Sequence, residues 1–402
     1  MTIPPQSPME GVRVLDCATF IAGPTCATFL GEFGAEVIKV ELPNIGCPLR
    51  KFGTATDGGD SLPWMSEARN KKSLTLDLRK PEGAAILKDL ARVSDVLVEN
   101  FQPGTMEEWG VGWEALSACN PRLVMVRISA YGQTGPYRDR PGFGRIANAF
   151  GGLSYLAGYP DRPPVTPGSA TLPDYMSGMF GAMGALFALR VAERTGVGQV
   201  VDIGLYESIF RVLDELAPAY AYRGKVRERM GPGTVNAVPH SHYPTRDGRW
   251  IAIACTNDKI FARFAALAAA PEVAGDGKWG TTRQREAERD AVDAFVTAWT
   301  GRHDLSDALE RCASAQVPCG PVLSVDQIFT DPHYRARGNL RTIQDPRAGE
   351  IVVPNVVPRL TATPGRIDHL GPALGGSTDD ILGGLLHFPA DRIAALRDKG
   401  VI

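Results

Sequence analysis

The sequence predicts an α/β protein in which a Rossmann-like large domain, built on a parallel sheet, is joined to a smaller α+β domain. Three observations carry this. The chain opens as strand, glycine turn, helix and strand; the same alternation continues to about residue 129; and beyond residue 224 it gives way to neighbouring strands followed by a run of helices.

Taken in order, residues 12–16 are apolar, Gly23-Pro24 opens a helix, and residues 36–41 return as an extended run, which makes a βαβ unit. A helix over 81–92 precedes a strand over 95–99, and a helix over 107–118 leads to a strand over 123–129. Such alternation implies a parallel sheet sandwiched by helices, and ligands of these sheets lie beyond the strands' carboxyl ends. The large domain spans residues 1–224 and ends at Tyr220-Ala221-Tyr222-Arg223-Gly224. Residues 225–325 form the smaller domain, with two strands within 241–254 and helices over 258–269, 281–300 and 305–315. Val317-Pro318-Cys319-Gly320-Pro321-Val322 reads as a rigid extended connection, and residues 326–402 form a C-terminal segment.

With 402 residues, 44% hydrophobic and 22% charged, the chain is long enough for two cores and has the balance of a soluble globular protein. A formal charge of −2 supplies no general attraction to nucleic acid or to an anionic membrane, so any phosphate must be held locally. No run of about 18 apolar residues is expected to span a bilayer. The opening Met1-Thr2-Ile3-Pro4-Pro5-Gln6 lacks the basic start and apolar core of an export signal, so a cytoplasmic location is expected. Cys17, Cys26, Cys47, Cys119, Cys255, Cys312 and Cys319 are odd in number and contain no Cys-x-x-Cys pair, which predicts free thiols. The one close histidine pair, His240 and His242, fits alternating positions of a strand and has no cysteine or carboxylate to complete a metal site.

Leu172-Pro173-Asp174-Tyr175-Met176-Ser177-Gly178 sets a carboxylate at the mouth of a helix crowded with small residues. Gly178, Gly181, Gly184, Ala185 and Ala188 recur at spacings of three and four, a stripe that lets an interior helix approach its neighbour closely. Pro173 discourages helix before it, so Asp174 is expected as the N-cap, ionised at neutral pH. By residue type and position alone, that is the ordinary role of such an aspartate.

The wider sequence adds a second role. Asp174 and the following Arg194-Thr195-Gly196-Val197-Gly198-Gln199-Val200-Val201-Asp202 resemble the family III coenzyme A transferases, which include formyl-CoA transferase, carnitine CoA-transferase and the α-methylacyl-CoA racemases. The similarity continues through Phe33-Gly34-Ala35-Glu36-Val37-Ile38-Lys39-Val40-Glu41, Asn70-Lys71-Lys72-Ser73-Leu74-Thr75-Leu76-Asp77-Leu78 and Val98-Glu99-Asn100-Phe101-Gln102-Pro103-Gly104, in one order along essentially the whole chain. It implies that Asp174 is a covalent nucleophile, forming first an acyl anhydride and then a CoA thioester. It also implies that CoA and acyl-CoA are substrates with no permanently bound cofactor, that the C-terminal segment returns to the large domain, and that two chains interlock as a homodimer.

For the CoA site, the resemblance places Leu76, Arg79, Asn100 and Thr105 along the nucleotide, and Ile21 and Ala22 in the first turn near the reacting acyl group. Ile21 replaces a glutamine of the formyl-CoA branch, and Glu108 stands where that branch has an arginine. Arg50-Lys51, Asn70-Lys71-Lys72, Arg79 and Arg138 are the cations expected near phosphates.

The family's racemases carry a histidine where this chain has Phe143, in Gly142-Phe143-Gly144, and a glutamate where it has Asn257. Epimerisation needs an acid and a base at the α-carbon, so the transferase reading is preferred to the racemase. The formyl-CoA branch has a glutamate where Gly144 stands, which argues against formate or oxalate. Pro239-His240-Ser241-His242-Tyr243-Pro244 looks more like transferases that use succinyl-CoA with C4 or C5 dicarboxylates, such as malate, citramalate, mesaconate or itaconate. Phe143, Arg145, His240 and His242 are the candidate substrate contacts. Two rivals remain. A Rossmann dehydrogenase would want three glycines where Ala18-Thr19-Phe20-Ile21-Ala22-Gly23-Pro24 offers one, and a CoA-binding subunit needing a partner would have no use for Asp174.

Overall fold

The computed structural model describes residues 7–402, so the opening hexapeptide considered above lies outside the described residues. The chain makes two compact units: Met1–Ser154 with Thr166–Lys225 and Ala336–Ile402, and Tyr155–Val165 with Val226–Arg335.

In the first unit the opening βαβ is β1 (Arg13–Asp16), α1 (Ala22–Glu32) and β2 (Glu36–Glu41). Helix α2 (Leu62–Glu67), capped by the Ser61 hydroxyl, leads to β3 (Lys71–Thr75), and α3 (Pro81–Arg92) leads to β4 (Val96–Glu99). The single helix expected over 107–118 is two, α4 (Thr105–Glu108) and α5 (Trp113–Cys119), because the chain turns at Gly110 with φ 70°. There follow β5 (Val124–Ser129), α6 (Gly144–Phe150), α7 (Leu153–Leu156), α8 (Leu172–Thr195), β6 (Val200–Gly204), α9 (Leu205–Phe210) and α10 (Leu216–Arg223).

The strands pair in parallel in the order β3-β2-β1-β4-β5-β6, with Val14 beside both Val37 and Val96. The order reverses direction between β1 and β4, and in doubly wound sheets that point opens a crevice for ligands. Alternate residues build two cores. Val14, Val37, Val96, Val124 and Val126 face α1 and α8, whereas Leu15, Ile38, Leu74, Leu97 and Met125 face Ile86, Leu87 and Leu90 of α3 and the C-terminal helix Ala390–Asp398.

The small-residue stripe does what its spacing predicts. A Cβ on Gly178 would lie 2.9 Å from the Ala22 carbonyl oxygen, one on Gly181 3.2 Å from Cys26 Sγ, and one on Gly184 2.6 Å from Val201. Contrary to the expectation of no bilayer-length apolar segment, α8 is long and apolar enough by length and composition alone. Packing explains the composition: its Gly/Ala face is buried against α1 and the sheet.

The second unit has an antiparallel pair, β7 (His240–Pro244) and β8 (Trp250–Ala254), followed by α11 (Asp258–Leu267). The helix expected over 281–300 is broken at Glu288 into α12 (Thr282–Ala287) and α13 (Arg289–Thr300), and α14 (Leu305–Ser314) follows. The extended connection at 317–322 contains a third strand, β9 (Cys319–Pro321), whose backbone pairs with β8. Ile251, Ile253, Phe261, Phe264, Val292, Val296 and Trp299 form this unit's own core.

Candidate active site

Helix α8 begins ahead of the proline, with Thr171 at the cap, so Pro173 and Asp174 both lie in its first turn. Asp174 is therefore not the N-cap. Proline suits a first turn because it has no amide to satisfy there, which is why the helix starts before it. Among the described residues no cation pairs with the Asp174 carboxylate. Burial pushes its pKa up to about 6, opposed only by its own backbone amide. A cap would have been pulled the other way.

The surroundings of Asp174 are small on one side and aromatic on the other. Its Oδ2 lies over Gly144, the first residue of α6, where an added Cβ would approach to 2.2 Å. The neighbouring Phe143 is 69% exposed, and its ring meets Phe20 edge-on at 6.2 Å; Phe20 meets Phe52 in the same way at 6.1 Å. Phe20 holds φ 59°, in the left-handed region that aromatic residues rarely occupy. Ile21 and Ala22 follow it, both buried, and the Ala22 carbonyl abuts Gly178 one turn beyond Asp174. Tyr175 is hydrogen-bonded to Glu67, and its hydroxyl is raised by burial and then by that carboxylate. The structure thus brings Asp174, Phe143, Ile21 and Ala22 into one neighbourhood.

A cavity of about 350 Å³ lies at the carboxyl ends of β1 to β4. Cys17, Ala18 and Thr19 of the first turn line it, together with Leu76, Arg79 and Trp109. Arg79 is at the rim, its guanidinium held by Asp77 through bonds of 2.8 and 2.9 Å, which leaves it largely exposed. Asn100 stands behind the lining: its amide donates to the Thr19 carbonyl and accepts from the Thr19 amide, both at 2.7 Å. Thr105 opens α4 directly after Gly104, which has φ 94°.

Other expected cations are committed elsewhere. Arg50 is buried, paired with Glu41 at 2.8 Å and stacked on Trp64 at 3.8 Å, and Lys71 is buried on Asp16 at 2.8 Å. Neither is available to a phosphate. Lys72 pairs with Glu36, while Arg138 is exposed beside Asp139 and does not line the cavity. Arg145 donates to Thr166 Oγ1 at 3.2 Å. In the second unit, His240 and His242 alternate on β7 as expected and line a cavity of about 330 Å³ floored by Ala252, Ala254 and Gly320. Asn257, the residue at the racemase glutamate position, caps α11 by accepting from the Ile260 amide at 3.0 Å. Among the described residues no group of three or more His, Cys, Asp or Glu side chains could hold a metal ion.

Sequence reasoning missed the buried cluster of Asp16, Lys39 and Lys71 beneath the first turn, and Trp109 in the cavity wall. A signal for the first was present: Lys39 interrupts the apolar run Val37-Ile38-Lys39-Val40, and a charge inside a parallel strand must find a partner.

Comparison with known proteins shows the family and the fold. A family model described as CoA-transferase family III matches residues 9–378. The alpha and beta subunits of succinyl-CoA--L-malate CoA-transferase from Chloroflexus aurantiacus are each 52% identical, over 99% of this chain and 93% of the alpha subunit, and over 98% of this chain and 98% of the beta subunit. Succinyl-CoA--D-citramalate CoA-transferase of the same organism is 44% identical over 99% of this chain and 99% of its own length. Among solved structures, a CAIB/BAIF family protein from Brucella suis superposes with a TM-score of 0.82 at 32% identity, covering 95% of this chain and 100% of that chain.

Proposed function

The chain belongs to CoA-transferase family III, and from that premise we propose that it moves CoA from succinyl-CoA to a C4 or C5 dicarboxylate through covalent intermediates on Asp174. The Asp174 carboxylate attacks the succinyl thioester carbonyl, giving a mixed anhydride and free CoA thiolate. The thiolate attacks the aspartyl carbonyl, releasing succinate and leaving CoA as a thioester on Asp174. The acceptor carboxylate opens that thioester to a second anhydride. Thiolate then attacks the acceptor's acyl carbonyl, and the Asp174 carboxylate is regenerated.

The observation that carries this reading is the state of Asp174: part-buried, without a counter-ion among the described residues, and with its Oδ2 seated over Gly144, where no side chain intrudes. A carboxylate without a counter-ion in a low-water site is more nucleophilic than a solvated one. Malate and citramalate in the names of the similar transferases support a dicarboxylate acceptor. The cavity lined by Leu76 and Arg79 is the assigned CoA site, and Arg145, which follows Gly144 in the same unit as Asp174, is assigned to the acceptor's second carboxylate.

The test is to incubate the protein with succinyl-CoA and no acceptor, then search for CoA on the Asp174 peptide by mass and by sensitivity to hydroxylamine. A protein that turns over yet never carries the label overturns the mechanism. In mixed-acceptor competition, dicarboxylates should outrun monocarboxylates and oxalate, and equal use would overturn the substrate class.

We assign the assembly as a homodimer. The face of α8 opposite its glycines supports this, since Met179, Met183, Leu186 and Phe187 are all more than two-fifths exposed. A pair of unlike chains is the second reading, motivated by relatives named as alpha and beta subunits. Native mass and activity of the chain purified alone decide between them.

A further inference from the structure

Beneath the turn between β1 and α1 lies a charge cluster that the reaction above does not use. Asp16, Lys39 and Lys71 are 0%, 1% and 1% exposed. Two amino groups share one carboxylate: Lys39 Nζ reaches Oδ1 at 3.1 Å and Lys71 Nζ reaches Oδ2 at 2.8 Å. Each also holds the backbone, Lys39 by donating to the Ala18 carbonyl and Lys71 by donating to the Pro24 carbonyl at 2.7 Å. Asp16 Oδ1 accepts from the Ala18 amide at 3.1 Å, while Asn100 grips both polar groups of Thr19.

The turn is thus tied at both ends and over-determined, which is the condition under which a backbone keeps a left-handed aromatic residue such as Phe20. Between the ties, the amides of Phe20, Ile21, Ala22 and Gly23 make no hydrogen bond among the described residues. This stretch borders Asp174 from two directions. The Ala22 carbonyl abuts Gly178, and the Phe20 ring meets Phe143, whose neighbour Gly144 lies under the carboxylate. Stability alone does not call for such a cluster, since an apolar set of similar volume commonly does as well or better.

We propose that Asp16, Lys39 and Lys71 are positioning residues for acyl transfer: by drawing in the Ala18 and Pro24 carbonyls, they hold the intervening amides toward the carbonyl that Asp174 attacks. As that carbonyl becomes tetrahedral, negative charge gathers on its oxygen, and donors already fixed in place need no reorganisation. The proposal rests on Asp174 being the nucleophile.

Three proteins test it: wild type, Lys71→Met, and the triple variant Asp16→Asn/Lys39→Met/Lys71→Met. The single variant leaves the buried charges unbalanced, whereas the triple variant removes them together. Two quantities are measured: thermal stability, and the single-turnover rate at which succinyl-CoA loads CoA onto Asp174, normalised to the fraction that loads. We expect the triple variant to recover stability relative to Lys71→Met yet to load on the order of 100-fold more slowly, with the KM for succinyl-CoA within about threefold of wild type. Loading by the triple variant at the wild-type rate overturns the proposal. If the triple variant does not fold, the folded fraction of Lys71→Met at low temperature decides the matter in its place: slow loading supports the proposal and normal loading overturns it. A wild type that never loads CoA overturns the nucleophile assignment itself, an outcome distinct from either.

Discussion

Asp174 Oδ2 occupies the space in which a side chain on Gly144 would begin, 2.2 Å from where its Cβ would stand, and the Ala170 carbonyl closes the same space at 2.3 Å. Carboxylate and glycine are therefore one device. Any residue larger than glycine must displace the carboxylate, a backbone carbonyl, or both.

Gly144→Ala should lower kcat by on the order of 100-fold, because a displacement of about 1 Å at a reacting group has that effect. The fold should survive, with a loss of about 1 to 3 kcal/mol from overpacking. Steady-state kinetics beside thermal melting separate the two, and an unchanged kcat would show that the carboxylate moves freely.

The raised pKa of Asp174 predicts the acid limb of the activity profile. The ionised form is the proposed nucleophile, so kcat/KM should be level at pH 8, fall to half near pH 6, and drop about tenfold per pH unit below that. A midpoint close to 4 would mean that burial does not govern this group.

Asp174→Asn should abolish transfer and, at pH 8, stabilise the protein. In the fold the carboxyl titrates at about 6 rather than 3.8, so the native state binds the proton more tightly than the unfolded chain does. The penalty is absent below about pH 4, grows as the pH rises through that window, and is complete above 6, where it amounts to about 3 kcal/mol at most. Melting of both proteins at pH 4 and pH 8 checks the sign: the variant should gain only at the higher pH.

Gly178→Ala sets helix propensity against space. Propensity favours alanine by about 1 kcal/mol, but the new methyl would meet the Ala22 carbonyl oxygen and Thr25 Cβ, each at 2.9 Å. Separating α8 from α1 costs about 1 to 3 kcal/mol by overpacking, so we expect net destabilisation in chemical denaturation together with reduced turnover. A more stable variant would show that the helices part without loss.

No deuterium should enter the α-position of 2-methylacyl-CoA in heavy water. Phe143 has no exchangeable proton, and Asn257 is occupied in capping α11. Exchange at a rate comparable with turnover, followed by mass spectrometry, would revive the racemase reading.

Much of the sheet was legible because parallel strands and their covering helices announce themselves by pattern. Residues 36–41 and 81–92 are found with the expected limits. Helix breaks at Gly110 and Glu288 were harder to see, since the flanking amphipathic pattern runs on across them. Asp174 stood out through its neighbours, but its place inside the first turn did not, because sequence shows that a proline begins a helix without showing how far before it the helix starts. The cation assignments failed most often for one physical reason. Arg50 and Lys71 are adjacent in sequence to exposed basic residues, and their burial depends on Glu41 and Asp16, partners 9 and 55 residues away that a reading of neighbouring residues does not reveal.

Helix α8 presents Asp174 with its first turn and builds the core with the Gly/Ala face that continues from it. For enzyme engineering this divides the molecule into parts with very different mutational freedom. Enlarging the glycine face to reshape the acyl pocket would spoil the scaffold before it changed selectivity. The tolerant positions belong to exposed side chains of other segments, above all Phe143 and Phe52, which are 69% and 52% exposed and flank Phe20. Libraries aimed at new acyl donors should diversify those two positions and leave the helix intact.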